Sequence, residues 1–160
     1  MIKRWLKLMM PFIAGIISGI WITVVKAAKV LDLLQRSARK DHLLCDMLSD
    51  WIMVKVDGKE IGHYLQDKGC REIAIYGMND LGEILRKDLS QNGVTVKYAI
   101  DRNAMCIRTE IDVLLPEDEL PDVDMIIVTA IAFFDEIEEK LSKKVKCPVV
   151  SLREIVKELL

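Results

Sequence analysis

An α/β domain built on a doubly wound parallel sheet is the fold class the sequence predicts, and three observations carry it. Short apolar runs free of charge, IAIY at Ile73–Tyr76 and MIIVT at Met125–Thr129, suit strands covered on both faces. Stretches of helical period, Asp80–Leu89 and Asp135–Leu141, alternate with them. The first run also passes through a glycine turn, IYGMNDLG, directly into a helical pattern, which is how a βαβ unit begins.

The chain of 160 residues has room for one domain of ordinary size with a smaller appendage. The appendage comes first. Leu8–Val25 holds eighteen residues without charge; at ~1.5 Å per residue they reach ~27 Å as a helix, close to the hydrocarbon thickness of a bilayer. Pro11 near its start and Trp5 and Trp21 toward its ends fit a single-pass membrane helix. A cleaved signal peptide shares the basic start but needs a small-x-small site, and Ala27-Ala28 is flanked by lysines. A buried core helix would carry some polar face, and this run has none.

Lys3, Arg4 and Lys7 precede the run, whereas Lys26, Lys29, Arg36, Arg39 and Lys40 follow it. That bias predicts a cell-membrane protein with its globular domain cytoplasmic. Gly15 and Gly19 form a G-x-x-x-G that suggests a homodimer, although two glycines falling there by chance account for it equally well. The organisation expected is therefore an anchor over 1–26, an amphipathic connector helix over 27–57 and a globular domain over 58–160. The connector's apolar positions, among them Leu44, Met47, Leu48, Trp51 and Ile52, must face the domain, a second copy or the membrane surface.

Within the globular part, Asp57-Gly58 stops the connector and Lys59–Lys68 forms a short helix closed by Gly69. Glu72–Tyr76 is then a strand, Asp80–Leu89 a helix, Asn92-Gly93 a turn and Val94–Ile100 a second strand. A short strand is expected near Ile111–Leu114 between loops marked by Pro116 and Pro121. Met125–Thr129, Asp135–Leu141, Val149-Val150 and a final helix over Leu152–Leu160 complete the alternation.

The turn Ile73–Gly82 approximates the dinucleotide fingerprint G-x-G-x-x-G, with Gly77 and Gly82 in the outer places and Asn79 in the middle one. Asn79 is expected to take positive φ with little strain while its side chain fills space that a pyrophosphate would use. Fingerprints of this kind also place an acid about twenty residues further on, against the ribose hydroxyls. Asp101 closes the next strand, with Arg102 beside it to engage a phosphate or pair with the acid. Gly77, Met78, Asn79, Gly82, Asp101 and Arg102 are thus the candidate binding residues for NAD(P) or a nucleotide-sugar. The competing reading of Asp101 is a solvated strand-end carboxylate.

The stretches KEIGHYLQDKGCREIAIYGMNDLGEILRKDL, VKYAIDRNA and VDMIIVTAIAFFDEIEEKLSKKVKCPVVSLREIV together resemble small Rossmann-like proteins associated with bacterial surface-polysaccharide synthesis. They are similar to the N-terminal domain of sugar acyltransferases. The resemblance spans roughly residues 51–160. It implies a nucleotide-linked sugar held near Gly77–Gly82 and Asp101, and a polysaccharide-synthesis enzyme as partner. No hexapeptide repeat or methyltransferase segment occurs in the sequence, so what the resemblance implies is a holder of substrate without the usual attached chemistry.

Charge and composition narrow the classes further. Residues 1–56 carry nine Lys or Arg against four Asp, and the remainder fourteen against twenty-one acids. An acidic domain lacks the basic surface that nucleic acid needs, so none is expected as partner. Cys45, Cys70, Cys106 and Cys147 are spread singly, which argues against a metal site and suits a reducing compartment. Cys70 and Cys147, set beside apolar residues, are expected to act as small core residues.

No catalytic residue is assigned. Tyr64 and Lys68 form a Y-x-x-x-K, but ahead of the first strand, where the dehydrogenase chemistry of that spacing has no place. Glu136, Glu138 and Glu139 match an acidic helix start, and His63 lacks a triad of neighbours. Three functions are expected in turn. The first is a membrane-tethered module for a nucleotide or nucleotide-sugar. The second is an NAD(P)-dependent sugar oxidoreductase or epimerase, and the third a ligand-free membrane scaffold that recruits partner enzymes.

Overall fold

The structure, a computed structural model, describes the backbone of residues 2–160 and the side chains of residues 21, 23–35 and 37–160. The chain forms two compact units, residues 1–42 and Leu43–Leu160. The long helix α1 (Ile2–Val56) supplies the first unit and opens the second. The apolar run Leu8–Val25 and the Gly15/Gly19 pair lie largely outside the side chains described; among the described residues no helix is long and apolar enough to cross a membrane.

The second unit is an α/β fold. After α2 (Ile61–Asp67) come β1 (Glu72–Tyr76), α3 (Asp80–Gln91), β2 (Thr95–Ile100), β3 (Val113–Leu114) and β4 (Met125–Val128). The chain then runs through α4 (Phe134–Leu141), β5 (Val149–Ser151) and α5 (Leu152–Leu159). The five strands order as β3-β2-β1-β4-β5, and each neighbouring pair is parallel. The strand expected near Ile111–Leu114 is confined to two residues because only Val113 and Leu114 find partners on β2, at Ala99 and Ile100.

Alternation along the strands builds two cores. Ile73 and Ile75 of β1 and Ile127 of β4 face the apolar sides of α2, α3 and α5 together with Met47, Trp51 and Val54 of α1. Ala74, Tyr76, Ile126 and Val128 face the other way, against Ile137 and Leu141 of α4. Of the three surfaces open to the connector's apolar side, the domain is the one these α1 residues cover. At ~25 cal/mol per Å² of apolar surface removed from water, this two-sided burial is the main stabilising term. Cys70 is buried and Cys147 half-buried within these cores, as their apolar neighbours predict, whereas Cys45 and Cys106 are exposed.

Candidate functional site

In an open parallel sheet the strand order reverses at one place, and the C-terminal ends of the two strands there flank a crevice. In this sheet that place lies between β1, whose connection leads to β2, and β4, whose connection leads to β5. The turn leaving β1 is Gly77-Met78-Asn79.

Gly77 sits at φ +93, a backbone region that side chains rarely adopt, and a Cβ there would lie 2.7 Å from the Thr129 hydroxyl. Gly82 has ordinary helical geometry but no space: its Cβ would come 2.4 Å from the Gly77 carbonyl oxygen. The two glycines therefore do what the first and third positions of the fingerprint require, a tight turn and close approach of helix to strand.

The middle position behaves otherwise. Asn79 has φ −87 and ψ −169, and no residue other than glycine has positive φ among those described, so the expected left-handed turn at Asn79 does not form. The residue is instead the N-cap of α3. Its side-chain oxygen accepts from the backbone amides of Leu81 at 3.1 Å and Gly82 at 3.2 Å. Helix starts leave these amides without intrahelical partners, and Asn is among the side chains best suited to supply one.

Asp101 reaches across from the end of β2. One carboxylate oxygen accepts from the Met78 amide at 2.9 Å and the other from the Asn103 amide at 2.8 Å. Each oxygen keeps a second lone pair. Met78 contributes only its backbone, since its side chain is buried in the core behind the turn. Arg102 is exposed, with a guanidinium nitrogen 3.5 Å from Glu136. The Tyr76 side chain, and then Glu136, hold that cation and raise its pKa.

Sequence reasoning missed Thr129, which locks the turn. The residue is 3 % exposed, and its hydroxyl donates to the Gly77 carbonyl at 2.6 Å and lies 3.1 Å from that of Tyr76. No motif points to a lone threonine at a strand end. The hint available was that a hydroxyl ending a buried apolar run must find a partner.

A cavity of about 270 Å³ is lined by Gly77, Asn79, Asp101, Arg102, Asn103 and Phe133 among others, whereas Met78, Gly82 and Thr129 are not in its lining. A second of about 490 Å³ adjoins it, sharing Tyr76, Arg102 and Ile137. The second is larger, and its lysines are engaged: Lys140 pairs with Glu136 at 2.6 Å, Lys143 with Glu139 at 2.8 Å, and Lys144 donates to the Pro116 carbonyl at 2.6 Å.

Other candidates fall into structural roles. The Tyr64 hydroxyl donates to Glu158, and the Lys68 ammonium lies 2.9 Å from the same carboxylate and 4.4 Å from the Tyr64 ring centre. The Y-x-x-x-K thus ties α2 to α5. Burial pushes the Cys70 and Cys147 thiols up, away from the thiolate form that reacts. Among the described residues no cluster of three or more His, Cys, Asp or Glu side chains could hold a metal ion.

The sheet, its order and its crevice define an α/β protein compatible with a Rossmann-like fold. Comparison with protein-family models, curated proteins and solved structures finds no match to the chain.

Proposed function

We propose that the Leu43–Leu160 unit is a binding module for a nucleotide-type ligand, a free nucleotide or one linked to a sugar. In this reading the apolar run Leu8–Val25 tethers it to the cell membrane with the module cytoplasmic, where it serves a polysaccharide-synthesis enzyme. The observation that supports it best is the joint placement of Gly77, Asp101 and Arg102 around one cavity at the reversal of the strand order. Ligands of open α/β sheets occupy that crevice. Asp101, with a spare lone pair on each oxygen, has the chemistry to accept ribose hydroxyls, and Arg102 the chemistry to meet an acid group. An oxidoreductase would also need a general base. The described lining holds no His, Lys or Cys, and in this reading its Asp101 is given to the ribose, so the module is a binder.

One reading competes on a specific observation. The amides of Met78, Leu81 and Gly82 are all satisfied from within the chain, as they would be in a scaffold that binds nothing. Thermal unfolding separates the two. The full chain in mild detergent is heated with AMP, UMP, NAD, NADP or UDP-glucose at millimolar excess. A ligand that binds only the folded state at ~100 times its Kd adds about 2.7 kcal/mol and raises Tm. The module requires a rise with at least one compound and a smaller rise in Asp101→Ala. No rise with any of them leaves the scaffold, and a rise undiminished by the substitution removes Asp101 from the site.

A further inference from the structure

Rossmann-like sites seat a diphosphate on the free amides at a helix N-terminus, which is why the fingerprint puts a side-chain-free residue in its middle position. In this chain the second and third amides of α3, those of Leu81 and Gly82, both donate to the Asn79 side chain, and the preceding Met78 amide donates to Asp101. An incoming diphosphate would have to displace the Asn79 oxygen and leave the carboxamide to find other partners. The exposed cation of the cavity stands elsewhere, at Arg102, which lines both cavities and whose other guanidinium N–H groups remain beside its 3.5 Å pairing with Glu136.

We infer that Asn79 is a specificity-determining residue that closes the diphosphate seat, so that the site takes a nucleoside monophosphate, its phosphate met by Arg102 and its ribose by Asp101. This rests on the nucleotide-binding reading and narrows it. A monophosphate needs one anion contact and two hydroxyl contacts, which Arg102 and the spare lone pairs of Asp101 supply without disturbing the cap. A dinucleotide or a diphosphate-linked sugar brings a second phosphate that must be desolvated where the Met78, Leu81 and Gly82 amides already have partners.

The test compares wild type, Asn79→Gly, Asn79→Ser and Arg102→Gln as full chains by calorimetric titration with AMP, UMP, NAD and UDP-glucose. Asn79→Gly removes the cap oxygen at little cost, because glycine is itself an acceptable N-cap and φ −87 suits it. Serine keeps a capping oxygen. Wild type is expected to bind a monophosphate at least about tenfold more tightly than its diphosphate-bridged counterpart, the ratio one lost charge-assisted contact corresponds to. Asn79→Gly shifts that ratio about tenfold toward NAD or UDP-glucose. Asn79→Ser keeps the wild-type preference, and Arg102→Gln weakens monophosphate binding about tenfold.

Wild type binding NAD or UDP-glucose as tightly as the monophosphate, or a ratio unmoved by Asn79→Gly, overturns the role of Asn79 while leaving nucleotide binding intact. Serine opening the site as glycine does overturns the capping mechanism. Arg102→Gln binding AMP and UMP like wild type removes the phosphate contact. Silence of every protein toward all four compounds overturns the nucleotide reading itself, and this inference with it.

Discussion

The central strand β1 is held at each end by an aspartate from a neighbouring segment, and the two do the job differently. At the C-terminal end Asp101 divides its oxygens, one to Met78 of the turn and one to Asn103 of its own loop. At the N-terminal end a single oxygen of Asp124, which precedes β4, accepts from both Arg71 and Glu72 at 2.8 Å. Those two amides hold the Asp124 carboxyl below its usual range, that of Glu72 foremost. The ends also differ in what surrounds them. Asp124 is exposed beside the start of the strand, while Asp101 lines a cavity whose wall also holds the Gly77 turn and the Asn79 helix cap. The same side chain staples the backbone at one end and positions a pocket wall at the other.

The largest effect expected from breaking this contrast comes from Gly82→Ala. A methyl 2.4 Å from the Gly77 carbonyl oxygen meets backbone, which cannot swing aside as a side chain can, so helix and strand must separate. Forcing such an overlap costs about 3 kcal/mol, the upper part of the usual range for overpacking. Urea denaturation should show the midpoint falling with the slope unchanged, and a loss within 0.5 kcal/mol of zero, roughly the scatter of ordinary surface changes, would mean that α3 has room to move away.

The two aspartates provide the next test, because the isosteric change to asparagine treats them unequally. At Asp124 one acceptor oxygen does all the work, and an amide oxygen can replace it by choice of rotamer. At Asp101 both oxygens accept, so asparagine must turn an NH2 toward either the Met78 or the Asn103 amide and leave a donor facing a donor. Asp101→Asn is expected to cost about 1–2 kcal/mol, the price of one unsatisfied amide. Asp124→Asn should lower Tm by less in parallel melts, and equal losses would erase the distinction drawn between the two ends.

How much of this was legible in the sequence follows the same division. The strands were readable because both faces are covered: Ile73–Tyr76 and Met125–Val128 are apolar without interruption. The glycines were readable because a turn and a close approach each exclude side chains. Asn79 was misread as a left-handed residue by analogy with the glycine it replaces. The helical pattern that starts at Asp80 was the better guide, since Asn just before such a pattern is a preferred N-cap. Thr129 was not legible at all: its hydroxyl serves a carbonyl 52 residues away, and only the pairing of β1 with β4 brings them together. Asp101 was expected against ribose hydroxyls or in solvent, and its engagement by two amides depends on loop geometry that composition does not encode.

A smaller effect distinguishes the two ends by acidity. On α3, one turn beyond the cap, Glu83 lies 2.7 Å from the Arg86 guanidinium and also accepts from Thr109, which ties the segment after β2 to the helix. The hydrogen bond from Arg86 leads in holding the Glu83 carboxyl down at about 2, against 4.5 for an unperturbed one. A depressed carboxyl contributes stability above its unfolded value, and that contribution disappears as pH falls from about 4.5 to about 2. With Glu83 32 % and Arg86 13 % exposed, solvent screening brings the expected amount to about 1 kcal/mol. At the opposite end Glu158 is also held down, by Tyr64 and then Lys68, but its side chain is 55 % exposed and its partner Lys68 47 %, so acid has less to remove there. Wild type should therefore exceed Glu83→Gln in stability by about 1 kcal/mol at neutral pH, with the gap closing at pH ~2. Glu158→Gln should show a smaller gap at neutral pH. A Glu83→Gln difference that stays constant through the acid range would show that shape, rather than charge, holds that segment against α3.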